Sequence, residues 1–201
     1  MTDTDRLARQ LEFILEIDRL KGIERRSWLL HSERRENSAE HSWHLAMMAM
    51  VLVEHAAEPV DLLRVIEMVL VHDLVEIDAG DTFRYDTAGE ADRAEREGRA
   101  ADRLFAILPP EEGAGLRSRW EEFEARETPE ARFAAALDRL MPMLHNLHGN
   151  GRGWREHGVT ADRVLERNER MMAEGAPSLW QVARALVEQA VADGMLPAGR
   201  E

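Results

Sequence analysis

VLVHDLVEIDAGD, residues 69–81, decides the fold. Its apolar residues are those of a buried helix, but His72 and Asp73 interrupt them, and Glu76, Asp78 and Asp81 follow. Ionisable side chains among valines and leucines are costly to bury unless each finds a partner. A divalent cation satisfies imidazole and carboxylate together, so the segment reads as half of a metal site. His72 and Asp73 point about 100° apart around a helix, and one cation meets both only by lying between those directions. An isolated His-Asp pair is more often a hydrogen-bonded core histidine, so residues elsewhere have to decide.

Working outward, AEHSWHLAMMAMVLVEHA at 39–56 is a strongly apolar helix with His41 just inside its N-terminal end. His44 lies one turn on and competes as a ligand; spacing does not choose between them. In the other direction, Asp138 is the sole carboxylate in FAAALDRLMPML at 133–144. Unpaired, it would be neutralised or expelled, so it meets Arg139, another arginine or a cation. His41, His72, Asp73 and Asp138 all sit in apolar helices, and a helical bundle can bring inward-facing residues of different helices to one point.

Composition narrows the options. The 201 residues suffice for one generous core, and no stretch resembles an interdomain linker. Few aromatic residues and abundant Ala, Leu, Arg and Glu favour helix over strand, so the expectation is an all-α single domain. A formal charge of −13 argues against a nucleic-acid polymer as the main partner. With no cysteine, any metal is held by nitrogen and oxygen alone. No targeting segment or membrane-spanning run is evident, which makes the cytoplasm the expected compartment.

Along the chain, residues 3–20 carry Leu7, Leu11, Ile14, Leu15 and Leu20 at helical spacing, predicting an amphipathic packing helix. Residues 22–38 read as a polar, arginine-rich connection, with Ser38 as N-cap of the next helix and Met47, Met48 and Met50 as core filler. Helices are expected at 60–77, 88–107 and 111–126, and from Thr128 and Pro129 through a helix that Pro142 either kinks or ends. GNGRGWREHG at 149–158 reads as a loop. Thr160 and Ser178 open two closing helices, and Gly194 caps the last. The metal-binding core would span about 34–145, with the helices of 160–194 packed on it.

The pattern His41, His72-Asp73, Asp138 resembles that of the HD-domain metal-dependent phosphohydrolases. RRENSAEHSWHLAMMA at 34–49 and HDLVEIDAGD at 72–81 are similar to the corresponding segments of the YfbR-type 5'-deoxynucleotidases. The resemblance implies an HD-domain helical bundle, commonly homodimeric, with one divalent cation (Mn, Co, Mg, Zn or Fe) on those four residues. It further implies hydrolysis of nucleoside or deoxynucleoside 5'-monophosphates, with Glu76 and Asp81 on the family's acidic positions beside the metal. The family also places an arginine and a tryptophan before the first metal histidine. Here the order is Arg25, Arg26, Ser27, Trp28, and either arginine could serve.

A cation in such a site lowers the pKa of bound water towards ~7 and offsets phosphoryl charge. Glu76, one turn from His72, is placed to orient or deprotonate that water, and Asp81 to position it or protonate the leaving group. Arg25, Arg26, Arg34 and Arg35 are the available phosphate clamps. Trp28 could stack on a base, cover the pocket or, equally, be a packed aromatic. His145, Asn146 and His148 are further pocket candidates, and Asp78 is expected in solvent. The rival readings are a phosphodiesterase, a nucleoside triphosphohydrolase or an oxygenase on the same fold, or a non-enzymatic metal-stabilised nucleotide-binding module.

Overall fold

The computed structural model describes residues 1–86 and 89–199. Within them the chain is a helical bundle with one short hairpin: α1 (Asp3–Ile17), β1 (Glu24–Trp28), β2 (Arg35–Asn37), α2 (Ser38–Leu52), α3 (Leu62–Val71), α4 (Glu76–Ala79), α5 (Arg93–Phe105), α6 (Pro110–Ala125), α7 (Pro129–His148), α8 (Arg152–Glu156), α9 (Ala161–Gly175) and α10 (Pro177–Ala192). The all-helical expectation holds, apart from the hairpin. No helix among the described residues is long and apolar enough to cross a membrane.

α7 is the axis, packing against α2, α3, α6, α9 and α10. Its sequence explains why: Ala131, Phe133, Ala134, Ala135, Ala136, Leu137, Leu140 and Met141 are all buried. Small alanines let neighbouring helices approach on several sides. Gly175 at the end of α9 shows the closeness, since a Cβ there would lie 2.1 Å from the Arg132 carbonyl oxygen. Thr128 caps α7 by accepting from the Ala131 amide, with Pro129 at its first position, as the sequence predicts. Pro142 lies within the regular helix; having no N–H, it leaves the Asp138 carbonyl without its i+4 donor.

Several boundaries depart from expectation. The arginine-rich connection forms the antiparallel pair β1–β2, with Glu24 opposite Asn37 and Trp28 opposite Arg35. Asn37, not Ser38, caps α2: its side chain accepts from the Glu40 amide while the Glu40 carboxylate accepts from the Asn37 amide. The helix expected over 60–77 stops at Val71, where i→i+3 bonds (Leu74 N to Val71 O, Glu76 N to Asp73 O) tighten the chain before α4. The break frees His72 and Asp73 from the fixed angle of a continuous helix. α5 begins at Arg93; Ala88, where the sequence places its start, lies outside the described residues, as do Arg200 and Glu201. The expected 149–158 loop contains the turn of helix α8, and α10 opens at Pro177 rather than at Ser178. Gly194 ends α10 at φ +72°, as the capping signal predicts.

The amphipathic stripe of α1 does not pack inward. Leu7, Leu11, Ile14 and Leu15 are 55–75% exposed, and Phe13 is the buried residue of the helix. α1 is instead tied down by Arg9, whose guanidinium donates to the carbonyls of Ala106 and Ile107 after α5. On α2, Met48 enters the core while Met47 and Met50 stay exposed. α2 is apolar all round, so its sequence carries no face preference.

Candidate metal centre and cleft

Three segments meet at the floor of a cleft of about 1110 Å³, counted out to the solvent. The tightened turn after α3 supplies His72 and Asp73 and α7 supplies Asp138, all lining the cleft, while α2 supplies His41, fully buried against Asp138; all four are buried. His41 Nε2 lies 3.0 Å from Asp138 Oδ1, and His72 Nε2 lies 3.0 Å from Asp73 Oδ1 and 3.9 Å from Asp138 Oδ1. Ligand atoms of His41, His72 and Asp73 fall within 4.8 Å of one another.

The donor set can be tested for a cation. His72 Nδ1 is 2.9 Å from the Val69 carbonyl oxygen, which only accepts, so the hydrogen sits on Nδ1. That leaves the Nε2 lone pair aimed at two carboxylates, buried and without a hydrogen-bond partner. Lone pairs converging without a donor between them require positive charge, and imidazole nitrogen with carboxylate oxygen suits a divalent metal. The titration behaviour points the same way. Burial works against protonating His72, yet Asp73 and Asp138 outweigh it and push it up to about 9. Burial would raise Asp138, but Arg139 and the two histidines hold it well below the usual carboxylate range. Asp73 is held low against its burial by His72 and Arg25.

The description "HD domain" fits residues 17–180 of the chain by comparison with protein families. The chain belongs to the HD-domain family. A predicted metal-dependent phosphohydrolase from Magnetospirillum magnetotacticum MS-1 has a crystal structure that superposes on this HD domain with a TM-score of 0.91. It is 52% identical, with 96% of each chain covered. The human 5'-deoxynucleotidase HDDC2 is 29% identical over 135 residues, 67% of this chain; the match spans 65% of the human protein's length. Its Xenopus laevis counterpart is 31% identical over 138 residues, 68% of this chain and 67% of the frog protein.

Around the floor of the HD domain lies an acidic rim. Ser38 Oγ donates to Glu76 Oε2 at 2.5 Å, a contact the sequence reading missed because it assigned Ser38 to capping. Burial and the neighbouring Asp73 push Glu76 up to about 8, against Arg25. Gly80, at φ +74°, turns the chain after α4 and returns Asp81 to the rim, where burial raises it against the pull of Arg25. Arg25 reaches in from β1: its Nη1 is 2.6 Å from Asp73 Oδ2 and 3.8 Å from both Glu76 and Asp81. Arg25 is thus held by carboxylates, while Arg26 lines the cleft beside it.

Trp28 and Arg35 do not line the cleft. The Trp28 ring is sandwiched by guanidinium groups, Arg152 at 3.3 Å and Arg35 at 4.5 Å, and its indole N–H donates to Glu156. Arg34 is taken by Glu40. Asp78 is exposed as expected but pairs with Arg103. Asn146 lines the cleft while bonding Pro142 O and Trp154 N, and His148 is exposed. His44 turns away from the floor towards His145, ring centroids 5.8 Å apart, so the fold separates the two histidines that spacing could not.

The remaining cleft residues include two guanidinium groups that sequence reasoning passed over. Arg84 and Arg139 both line the cleft, and the Nε of each is buried without a hydrogen-bond partner. Among the described residues Arg84 bonds the Arg167 carbonyl and the Met171 sulfur; Arg139 Nη2 is 3.4 Å from Asp138 Oδ2. Burial and the proximity of Arg139 bring Arg84 down to about 10. The one signal in the sequence was Arg139 beside the candidate ligand Asp138; Arg84, in a loop, had none.

Proposed function

We propose that the protein is a metal-dependent phosphomonoesterase releasing phosphate from nucleoside or deoxynucleoside 5'-monophosphates. The observation that carries this reading is the convergence of His41, His72, Asp73 and Asp138 around an unpartnered imidazole lone pair. The printed names of the relatives and of the similar crystal structure agree with it. A divalent cation on these four residues would supply Lewis-acid charge to the phosphoryl group and lower the pKa of the attacking water towards ~7.

The protein's own groups do the rest. Glu76, made more basic than an ordinary carboxylate by burial and by Asp73, takes in its ionised form the proton of the attacking water as that oxygen bonds to phosphorus. Asp81, also raised, gives a proton to the departing 5'-oxygen as the P–O bond breaks. Arg84 and Arg139 hold non-bridging phosphate oxygens with their free Nε–H donors, and Arg26, which also lines the cleft, adds a third guanidinium. Arg25 offsets part of the repulsion among Asp73, Glu76 and Asp81.

The test is phosphate release from a panel of nucleotides by chelator-stripped protein reloaded with each divalent metal in turn. Metal-dependent release from 5'-monophosphates is expected; none from any phosphomonoester overturns the reading. The same metal series identifies the native ion.

We further propose that the protein works in the cytoplasm as a homodimer. The uncovered apolar stripe of α1 and the exposed Trp43, Met47 and Met50 of α2 support association. Sedimentation equilibrium showing a monomer at micromolar concentration would refute it.

A further inference from the structure

Behind the floor of the cleft lies a second group of metal-ligating side chains. Glu36 on β2, His44 on α2 and His145 in the last turn of α7 place one ligand atom each within 4.8 Å of the others. Glu36 is 1% and His145 7% exposed, and His44 is partly exposed. Glu36 Oε2 and His145 Nδ1 are both buried with no hydrogen-bond partner. A carboxylate oxygen and an imidazole this close would ordinarily bond to each other. They make no such bond here, yet the ligand atoms lie within 4.8 Å of one another, a span that one cation at ~2.1 Å from each would bridge with small side-chain rotations.

We propose that Glu36, His44 and His145 form a second cation site, distinct from the one on His41, His72, Asp73 and Asp138. Two imidazoles and one carboxylate select a borderline transition metal such as zinc, cobalt or nickel over magnesium or calcium, which prefer all-oxygen shells. The partly exposed side, at His44, leaves a position for water. The two sites stand back to back across one ring: His41 Nε2 faces Asp138, while His41 Nδ1 is 3.5 Å from Glu36 Oε2. Glu36 also has Arg25 Nε at 3.9 Å, so its carboxylate serves a histidine and an arginine on one side and the second cation on the other.

Chelator-stripped protein is loaded with zinc, dialysed, and counted for metal by plasma mass spectrometry; cobalt loading gives a parallel visible spectrum. Wild type is expected to retain two equivalents of zinc, and His145→Ala and His44→Gln one each. His72→Ala, which spares Glu36, is expected to keep the second site's equivalent. The partly exposed His44 variant decides the matter should His145→Ala fail to fold. A wild-type count of one that survives both His44→Gln and His145→Ala overturns the proposal. A count of one lost in those two variants and kept in His72→Ala upholds the second site and refutes the catalytic one, so the two failures are distinguishable. Magnesium loading is expected to leave the cobalt spectrum of the second site unperturbed; its displacement would contradict the ligand assignment.

Discussion

His41 Nε2 and Asp138 Oδ1 stand 3.0 Å apart although 97 residues separate them in the chain. This contact joins α2 to α7 and closes the floor of the cleft. Asp138→Asn keeps the shape and removes the charge. Its divalent-metal affinity, read by equilibrium dialysis, is expected to fall at least about 100-fold, because even partners behind a ligand are worth ~10–100-fold. Unchanged affinity would remove Asp138 from the ligand set.

Glu76 is within reach of both the metal floor and the open cleft. Glu76→Gln is expected to lower turnover by roughly 10²–10⁴-fold, the usual worth of a general base, while metal content stays at the wild-type level. If instead metal is lost along with activity, Glu76 is a ligand rather than a proton acceptor.

Arg84 lacks any carboxylate partner among the described residues, so its substitution leaves no carboxylate stranded. Arg84→Gln should raise KM for a nucleoside monophosphate by about tenfold or more, the value of a charge-assisted hydrogen bond, with little loss of folding stability. Steady-state kinetics beside a thermal melt separate the two effects; a KM that does not move would place the phosphate elsewhere.

In the metal-free protein, proton and cation compete for the same negative charge. Glu76 rises to about 8 and His72 to about 9, so from about pH 5 to 9 the folded state binds more protons than the unfolded one. The stability these protons contribute is therefore lost as pH rises through that window. Asp73 and Asp138, held low, contribute stability that is lost only in acid, below their unfolded values. Melting of chelator-treated protein should accordingly fall in temperature between pH 6 and 9, and a saturating divalent metal should flatten that slope. A metal-free Tm that climbs across this range would contradict the charge balance drawn here.

Gly175 is a packing position rather than a flexible one. Gly175→Ala would set a methyl 2.1 Å from the Arg132 carbonyl oxygen and 2.9 Å from Ala136 Cβ, forcing α9 off α7. Overpacking of this kind costs about 1–3 kcal/mol, measurable by denaturant unfolding. A neutral effect would mean the two helices slide apart freely.

The floor of the cleft was legible because burying an ionisable group is expensive: His72, Asp73 and Asp138 announce themselves inside apolar runs. His41 needed the resemblance, since His44 has equal local credentials and only the fold turns one inward. The hairpin of β1 and β2 was not legible, because its residues are polar and alternate without a hydrophobic face; what they meet in the fold, Asp73 for Arg25 and His41 for Glu36, lies outside the strands. The fate of Trp28 was hidden for a similar reason. Arg152, which stacks on it, is more than a hundred residues away. Arg84 had no pattern to reveal it, as its meaning comes from what it lacks in three dimensions.

Arg25 gives the acidic pocket a resident positive charge tethered to the backbone. Asp73 therefore has a positive partner of the protein's own, unlike the ligands of small zinc modules, which have none until the ion arrives. Arg25 holds Asp73 by Oδ2 while Oδ1 faces His72, so an incoming ion would meet a carboxylate whose orientation is already set and whose second oxygen is already occupied.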